Sequence, residues 1–183
     1  MRLFTGLSLP ANAVDALGAL LERLRAASPG QNWSPPANLH ITLKFIGEFP
    51  ESQLGELKAA LGGLAGVAPR ISLRGFGWAP NPHRPRALFV PVRASDALGD
   101  LAARTSAAVE LLGVPREQRE YQPHVTLARI KSPDSLAPAR QVLAGWPAAD
   151  FGDFAPAAFH LYRSVTGPRG STYTILESFP FVP

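Results

Sequence analysis

The sequence predicts a mixed helix-and-strand protein built as two similar halves packed around one cleft. Three observations point there. Short runs of strand-type and helix-type apolar spacing follow one another along the whole chain. Their order nearly repeats: strand, helix, strand, helix, strand, strand, and then helix, strand, helix, strand, strand. No Gly/Ser-rich or charged linker separates the two runs. The 183 residues, 46% hydrophobic and 17% charged, supply a globular core and fit one domain spanning 1–183 with two lobes.

The elements follow from local chemistry. Leu3 to Leu9 reads as a strand, Phe4 and Thr5 favouring extended backbone. Pro10 and Ala11 open a helix carrying Val14, Leu17, Leu20, Leu21 and Leu24 on one face, and Ser28-Pro29-Gly30 ends it. Trp33 falls in the next loop. Leu39 to Ile46 reads as a strand closed by Gly47, and Pro50 starts a helix with Leu54, Leu57 and Leu61. Ile71 to Trp78 and Ala87 to Arg93 read as strands joined by a polar loop, residues 80–86. Ser95 is a suitable N-cap for a helix reaching Leu112. Val125 to Ile130 reads as a strand, Leu136 to Leu143 as a short helix, and Phe159 to Arg163 and Tyr173 to Phe179 as closing strands.

Composition narrows the chemistry. The chain has no cysteine, which removes disulfides, thiolate metal sites and a cysteine nucleophile. The net charge of +4 rests mostly on arginine, whose planar fork matches phosphate oxygens. The N-terminus lacks a signal-type apolar core and no run approaches a membrane span, so the expected setting is cytoplasmic.

Two of the four histidines occupy matching contexts: Leu39-His40-Ile41-Thr42-Leu43-Lys44-Phe45 and Pro123-His124-Val125-Thr126-Leu127-Ala128-Arg129. Strand side chains alternate faces, so His40 and Thr42 share one face while Ile41 and Leu43 point to a core; His124 and Thr126 stand likewise over Val125 and Leu127. Two such strands facing each other would bring two imidazoles and two hydroxyls around one centre. That set suits phosphoryl transfer. Histidine near its ordinary pKa of about 6.5 can take or give a proton at neutral pH, and threonine hydroxyls can donate to non-bridging phosphate oxygens. A lone His-x-Thr in a strand is most often structural; two copies are far harder to assign to chance. Two histidines without cysteine or a carboxylate at ligand spacing make a poor zinc site, so no metal and no cofactor is expected. Walker, Rossmann and Gly-x-Ser-x-Gly patterns are absent.

With these blocks, the opening Arg2-Leu3-Phe4 and the closing Leu161-Tyr162-Arg163-Ser164, Gly170 and Tyr173, the chain resembles the 2H phosphoesterase superfamily, and within it the RNA 2′,3′-cyclic phosphodiesterases, also called 2′-5′ RNA ligases. The resemblance covers nearly the whole chain. It departs at Gly77-Trp78-Ala79-Pro80 and at Phe89, where the family more often has Phe-Pro and Trp. It implies an α+β bilobal fold, with two antiparallel sheets related by a pseudo-twofold about a central cleft and helices outside. It also implies metal-independent opening of a 2′,3′-cyclic phosphate on RNA ends, tRNA fragments among them, to a 2′-phosphomonoester, by a monomer. His124 would be the base and His40 the acid, with 2′-5′ ligation as the reverse direction. The rival readings are a non-catalytic binder of phosphorylated RNA ends and a 2H enzyme for a small cyclic nucleotide.

Secondary candidates surround the pairs. Arg129 suits phosphate, but strict alternation sets it on the face opposite His124 unless a bulge intervenes. The same alternation sends Phe45 to the core and Lys44 to the His40 face. Trp33 and Tyr121 are candidates to line the cleft and stack on a base. His83, Arg84 and Arg86 form a basic loop that could clamp phosphates. His160, Tyr162 and Tyr173 read as packing residues.

Overall fold

A computed structural model of the chain describes residues 1–64, 66–146, 149–168 and 170–182. Its elements are β1 (Arg2–Ser8), α1 (Ala11–Ala27), β2 (Asn32–Trp33), β3 (His40–Glu48), α2 (Leu54–Gly62), β4 (Ile71–Arg74), β5 (Gly77–Ala79), β6 (Ala87–Ala94), α3 (Asp96–Glu110), β7 (His124–Arg129), α4 (Ala137–Ala144), β8 (Asp150–Phe154), β9 (Ala158–Gly167) and β10 (Gly170–Pro180). The expected α+β class holds. The ladders between these strands are antiparallel.

The strands follow one path, β10-β9-β1-β3-β7-β6-β4-β8, with β2 added to β7 and β5 to β6. Its two four-stranded halves meet where β3 pairs β7 at a single position, Ile41 opposite Val125. The sequence repeat is not the spatial division. β4, from early in the chain, pairs β8, from late in it, and β9, likewise late, pairs β1. The helices cross in the same way: α1 packs on α4 and β8, and α3 packs on α2 and β3. Each spatial half is therefore woven from both stretches of sequence.

Helix α1 forms as its spacing predicts. Leu17, Leu20, Leu21 and Leu24 are fully buried along one stripe, each contributing about 1.5–3 kcal/mol of burial. Three other expectations are corrected. The strand expected over Ile71–Trp78 is interrupted at Gly75, which adopts φ +79°, and continues as β5 on a different stretch of β6. Pro50 leads into a 3-10 turn, Glu51–Gln53, before α2 begins at Leu54. Ser95 does precede α3, but its hydroxyl accepts the Arg70 N–H at 3.1 Å instead of capping the helix. Among the described residues, no helix is long and apolar enough to cross a membrane.

Candidate active site

The two histidines enter the site on the two strands that join the halves. With Ile41 opposite Val125 in an antiparallel pair, one further step of register brings His40 alongside Thr126 and Thr42 alongside His124. Ile41, Val125 and Leu127 are fully buried and Leu43 nearly so, which leaves both His/Thr pairs on the other face.

Each imidazole is anchored identically. His40 Nδ1 lies 2.7 Å from the carbonyl oxygen of Asn38, and His124 Nδ1 lies 2.8 Å from that of Gln122. A carbonyl only accepts, so Nδ1 carries the hydrogen in both rings and Nε2 is left for chemistry. At His40, Nε2 sits 3.0 Å from the Thr42 hydroxyl.

A second pair of bonds ties the motifs to each other. The Tyr121 hydroxyl, just upstream of His124, donates to the Thr42 carbonyl at 3.0 Å. The Ser34 hydroxyl, upstream of His40, donates to the Thr126 carbonyl at 2.8 Å. These reciprocal ties supplement the single ladder pair and hold the distance between the strands. Tyr121 is thus a brace, not the stacking ring expected, and its own burial pushes its hydroxyl pKa well above the ordinary value.

Both motif strands carry one extra residue immediately after the threonine. Thr5 faces Lys44 and Gly6 faces Thr42, so Leu43 has no partner on β1; Leu88 faces Ala128 and Phe89 faces Thr126, so Leu127 has none on β6. Each bulge flips the alternation. Burial follows: Leu43 and Lys44 are both buried and Phe45 is exposed, and Leu127 and Ala128 are both buried and Arg129 is exposed. The expectations from strict alternation are therefore reversed. Phe45, at 60% exposure, is not core, and Arg129 shares the His124 face. Lys44 does not face the cleft; its ammonium is buried and donates to the Pro115 carbonyl at 3.0 Å. Trp33 does not line the cleft either. It is buried, with its indole N–H on the Ser28 carbonyl at 2.7 Å.

The surroundings of the two rings differ. His40 lies in an aromatic nest, 4.8 Å from Phe4 and edge-on to Tyr173 at 5.2 Å, with Tyr162 stacked on Phe4. Burial lowers its pKa below the ordinary 6.5; the Asn38 carbonyl opposes that shift and the charge of His124 adds to it. His124 is exposed, with Phe89 as an aromatic neighbour 5.2 Å away. A pocket of about 180 Å³ adjoins His40, lined by Ser8, Asn38, Tyr162, Tyr173 and Ile175. A wider depression of about 620 Å³ beside β4, β6 and β8 holds neither histidine.

Sequence reasoning missed the nest. Phe4, Tyr162 and Tyr173 come from β1, β9 and β10, and only the strand order β10-β9-β1-β3 reveals that they converge. His160 does prove bonded within the fold, to the Ser178 hydroxyl at 2.9 Å and the Ser8 hydroxyl at 3.3 Å.

Comparison with known proteins matches this arrangement. The model of the LigT-like phosphoesterase family fits the chain twice, over residues 7–89 and 88–173, one match per His-x-Thr motif. A Thermus thermophilus protein named RNA 2′,3′-cyclic phosphodiesterase is 36% identical, covering 98% of this chain and 89% of its own. A Methanothermobacter thermautotrophicus protein of the same name is 29% identical, covering 98% of both chains. The crystal structure of TT0787 of Thermus thermophilus superposes with a TM-score of 0.81 at 34% identity, covering 99% of this chain and 98% of that one. The chain belongs to the LigT-like phosphoesterase family of 2H enzymes.

Proposed function

We propose that this protein is an RNA 2′,3′-cyclic phosphodiesterase that uses His40 and His124 as its acid/base pair and needs no metal. The observation that supports this most is the identical anchoring of the two imidazoles, each with Nδ1–H spent on a carbonyl and Nε2 left for the cleft. Relatives bearing that enzyme name match nearly the whole chain. Among the described residues no three histidine or carboxylate side chains gather, so the proposal gives the proton transfers to the imidazoles.

The chemistry runs as one in-line displacement. His124 Nε2 takes a proton from water as the water oxygen bonds to phosphorus. The P–O3′ bond breaks, and His40 gives its proton to O3′, leaving a 2′-phosphomonoester and a free 3′-hydroxyl. The Thr42 and Thr126 hydroxyls and the Arg129 guanidinium hold the non-bridging oxygens as charge accumulates. Phe45, exposed on the same face after the bulge, offers a ring to the terminal base. With an RNA 5′-hydroxyl in place of water, the same displacement makes a 2′-5′ bond.

The acid role requires His40 to hold a proton that its burial disfavours. The phosphate anion supplies the opposing negative charge that favours the imidazolium. Binding of inorganic phosphate should therefore raise the His40 pKa in an NMR titration; an unchanged value would assign the acid role elsewhere.

The deciding experiment incubates an RNA ending in a 2′,3′-cyclic phosphate with the protein in excess EDTA. The expected product is the 2′-phosphomonoester. A 3′-phosphomonoester would overturn the leaving-group assignment. Turnover restored only by divalent metal would overturn the mechanism, and tight binding without turnover would make the cleft a reader of RNA ends.

A further inference from the structure

A third histidine stands on the cleft face, on the side of His40. Register gives one row across four strands: Ser178 opposite His160, His160 opposite Gly6, and Gly6 opposite Thr42. Residues directly opposite on neighbouring strands share a face, so His160 looks into the same cleft as Thr42. In that row only Gly6 separates them, and it has no side chain. It could not take one without a shift, since an added Cβ would sit 2.7 Å from the Ile41 carbonyl oxygen. Two strand spacings, roughly 10 Å, separate the His160 and Thr42 backbones. Side chains come nearer than that, because this face is concave. Tyr173 on β10 reaches within 5.2 Å of His40 on β3, with β9 and β1 between them. The Tyr162 ring neighbours both imidazoles, 5.7 Å from His160 and 6.1 Å from His40. Being buried, it is floor and not wall. The pocket of about 180 Å³ beside His40 extends to Ser8 and Tyr162.

His160 is bracketed by two hydroxyls. Its Nδ1 lies 2.9 Å from the Ser178 oxygen and its Nε2 3.3 Å from the Ser8 oxygen. The ring is half-buried and both serines are exposed. Ser8 is itself directly opposite His40. Donor counting then decides what the trio can bind. A neutral imidazole donates at one nitrogen and accepts at the other, so one serine spends its O–H on the ring and only the other can donate to a ligand. An imidazolium donates to both serines and frees both O–H groups. Two donors backed by a positive charge complement a phosphate, which only accepts.

The neighbouring carboxylate turns away. Glu177 stands opposite Leu161, a core residue, and pairs with Lys58 of α2 at 3.0 Å. Arg163 alternates to the Leu161 face as well. The titratable groups toward the cleft are Tyr162 and, past it, His40 and Tyr173. Burial accounts for the lowered pKa of His160, and an arriving anion opposes that effect.

We propose that His160, with Ser8 and Ser178, is the seat of the terminal nucleotide's 5′-phosphate, which in an RNA chain is the diester to the preceding nucleotide. This rests on the reading of the cleft as an RNA-end site, in which His40 serves O3′ and so draws the terminal ribose to its own side. It adds that the protein distinguishes a chain end from a free nucleoside cyclic phosphate by one phosphate group.

The test needs no turnover. A nucleoside 2′-phosphate and the matching nucleoside 2′,5′-bisphosphate are titrated into the wild type, with affinity read by calorimetry and the His160 ring followed by NMR. The bisphosphate should bind about tenfold tighter, and it alone should raise the His160 pKa. His160→Asn should bring the two affinities together, and Ser178→Ala, at an exposed position, should remove part of the difference. Equal affinities in the wild type, a preference that survives His160→Asn, or a His160 pKa that the two ligands leave alike each overturn the seat. If the protein opens no cyclic phosphate, the activity is overturned instead and the paired titration still decides the seat. Binding of neither ligand overturns both.

Discussion

The two His-x-Thr strands share a backbone and differ in everything around it. Both hold the ring by a carbonyl two residues back, both are tied to the other's threonine carbonyl, and both bulge after the threonine. Yet His40 is sunk among Phe4, Tyr162 and Tyr173, with Phe45 after its bulge, while His124 is open to solvent, with Arg129 after its bulge. A duplicated frame supplies symmetric positions for two imidazoles. The unequal surroundings lower the pKa of His40 by burial and divide the face into an aromatic side and a cationic side.

Breaking the pair itself has the largest expected effect. His40→Ala or His124→Ala should each lower kcat by about 10²–10⁴-fold with oligonucleotide binding largely retained. The double variant should be little worse than the poorer single one, since the groups act as a unit. Single-turnover assays check this, and full multiplicativity would show that the rings work independently.

Next is the contrast at the bulges. Arg129→Ala removes a charge-assisted contact and should raise KM about 10–100-fold, with Arg129→Lys recovering part of it. Phe45→Ala should cost about 1 kcal/mol of base stacking and change discrimination among terminal bases. A KM insensitive to Arg129 would mean that the bulge merely exposes the side chain.

Smaller again is the brace. Tyr121→Phe deletes one hydrogen bond, worth about 1 kcal/mol of stability. It should lower kcat several-fold without moving KM, because it loosens the spacing of the strands and not the grip on substrate. A change in thermal stability alone would make the hydroxyl purely structural.

The subtlest test is pH. Burial lowers the pKa of both His40 and His160, so the unfolded chain takes up protons first as the pH falls. Their stabilising contribution is complete above the ordinary imidazole value of 6.5 and is lost as pH drops through the lowered values. Denaturant unfolding at several pH values should show this decline, and His40→Asn should flatten part of it. With His40 as the proposed acid, the same shift places the alkaline limb of the kcat/KM profile below the ordinary imidazole range.

The two His/Thr pairs were readable in the sequence because the pattern is written twice within short strands, where period-two alternation suffices to place a histidine beside a threonine. Alternation failed at the next residues. A bulge is a property of two strands together, and nothing in Leu43-Lys44-Phe45 or Leu127-Ala128-Arg129 alone marks the unpaired leucine. Sequence distance hid the aromatic nest, whose members stand as far apart as Phe4 and Tyr173. Strand β8 escaped because Asp150, Gly152 and Asp153 are poor strand formers. Pairing with β4 holds it extended, with Arg74 reaching Asp150 and Asp153 at 3.0 Å each.

The crossing of β4 and β9 between the halves constrains how such a molecule can be divided. Cut after β6, neither piece retains a complete four-stranded layer, because each layer takes two strands from one piece and two from the other. The separated pieces would be expected to fold only in each other's company, as two co-expressed fragments. By the same logic, a gene half this length could close the cleft only as a pair of identical subunits trading strands.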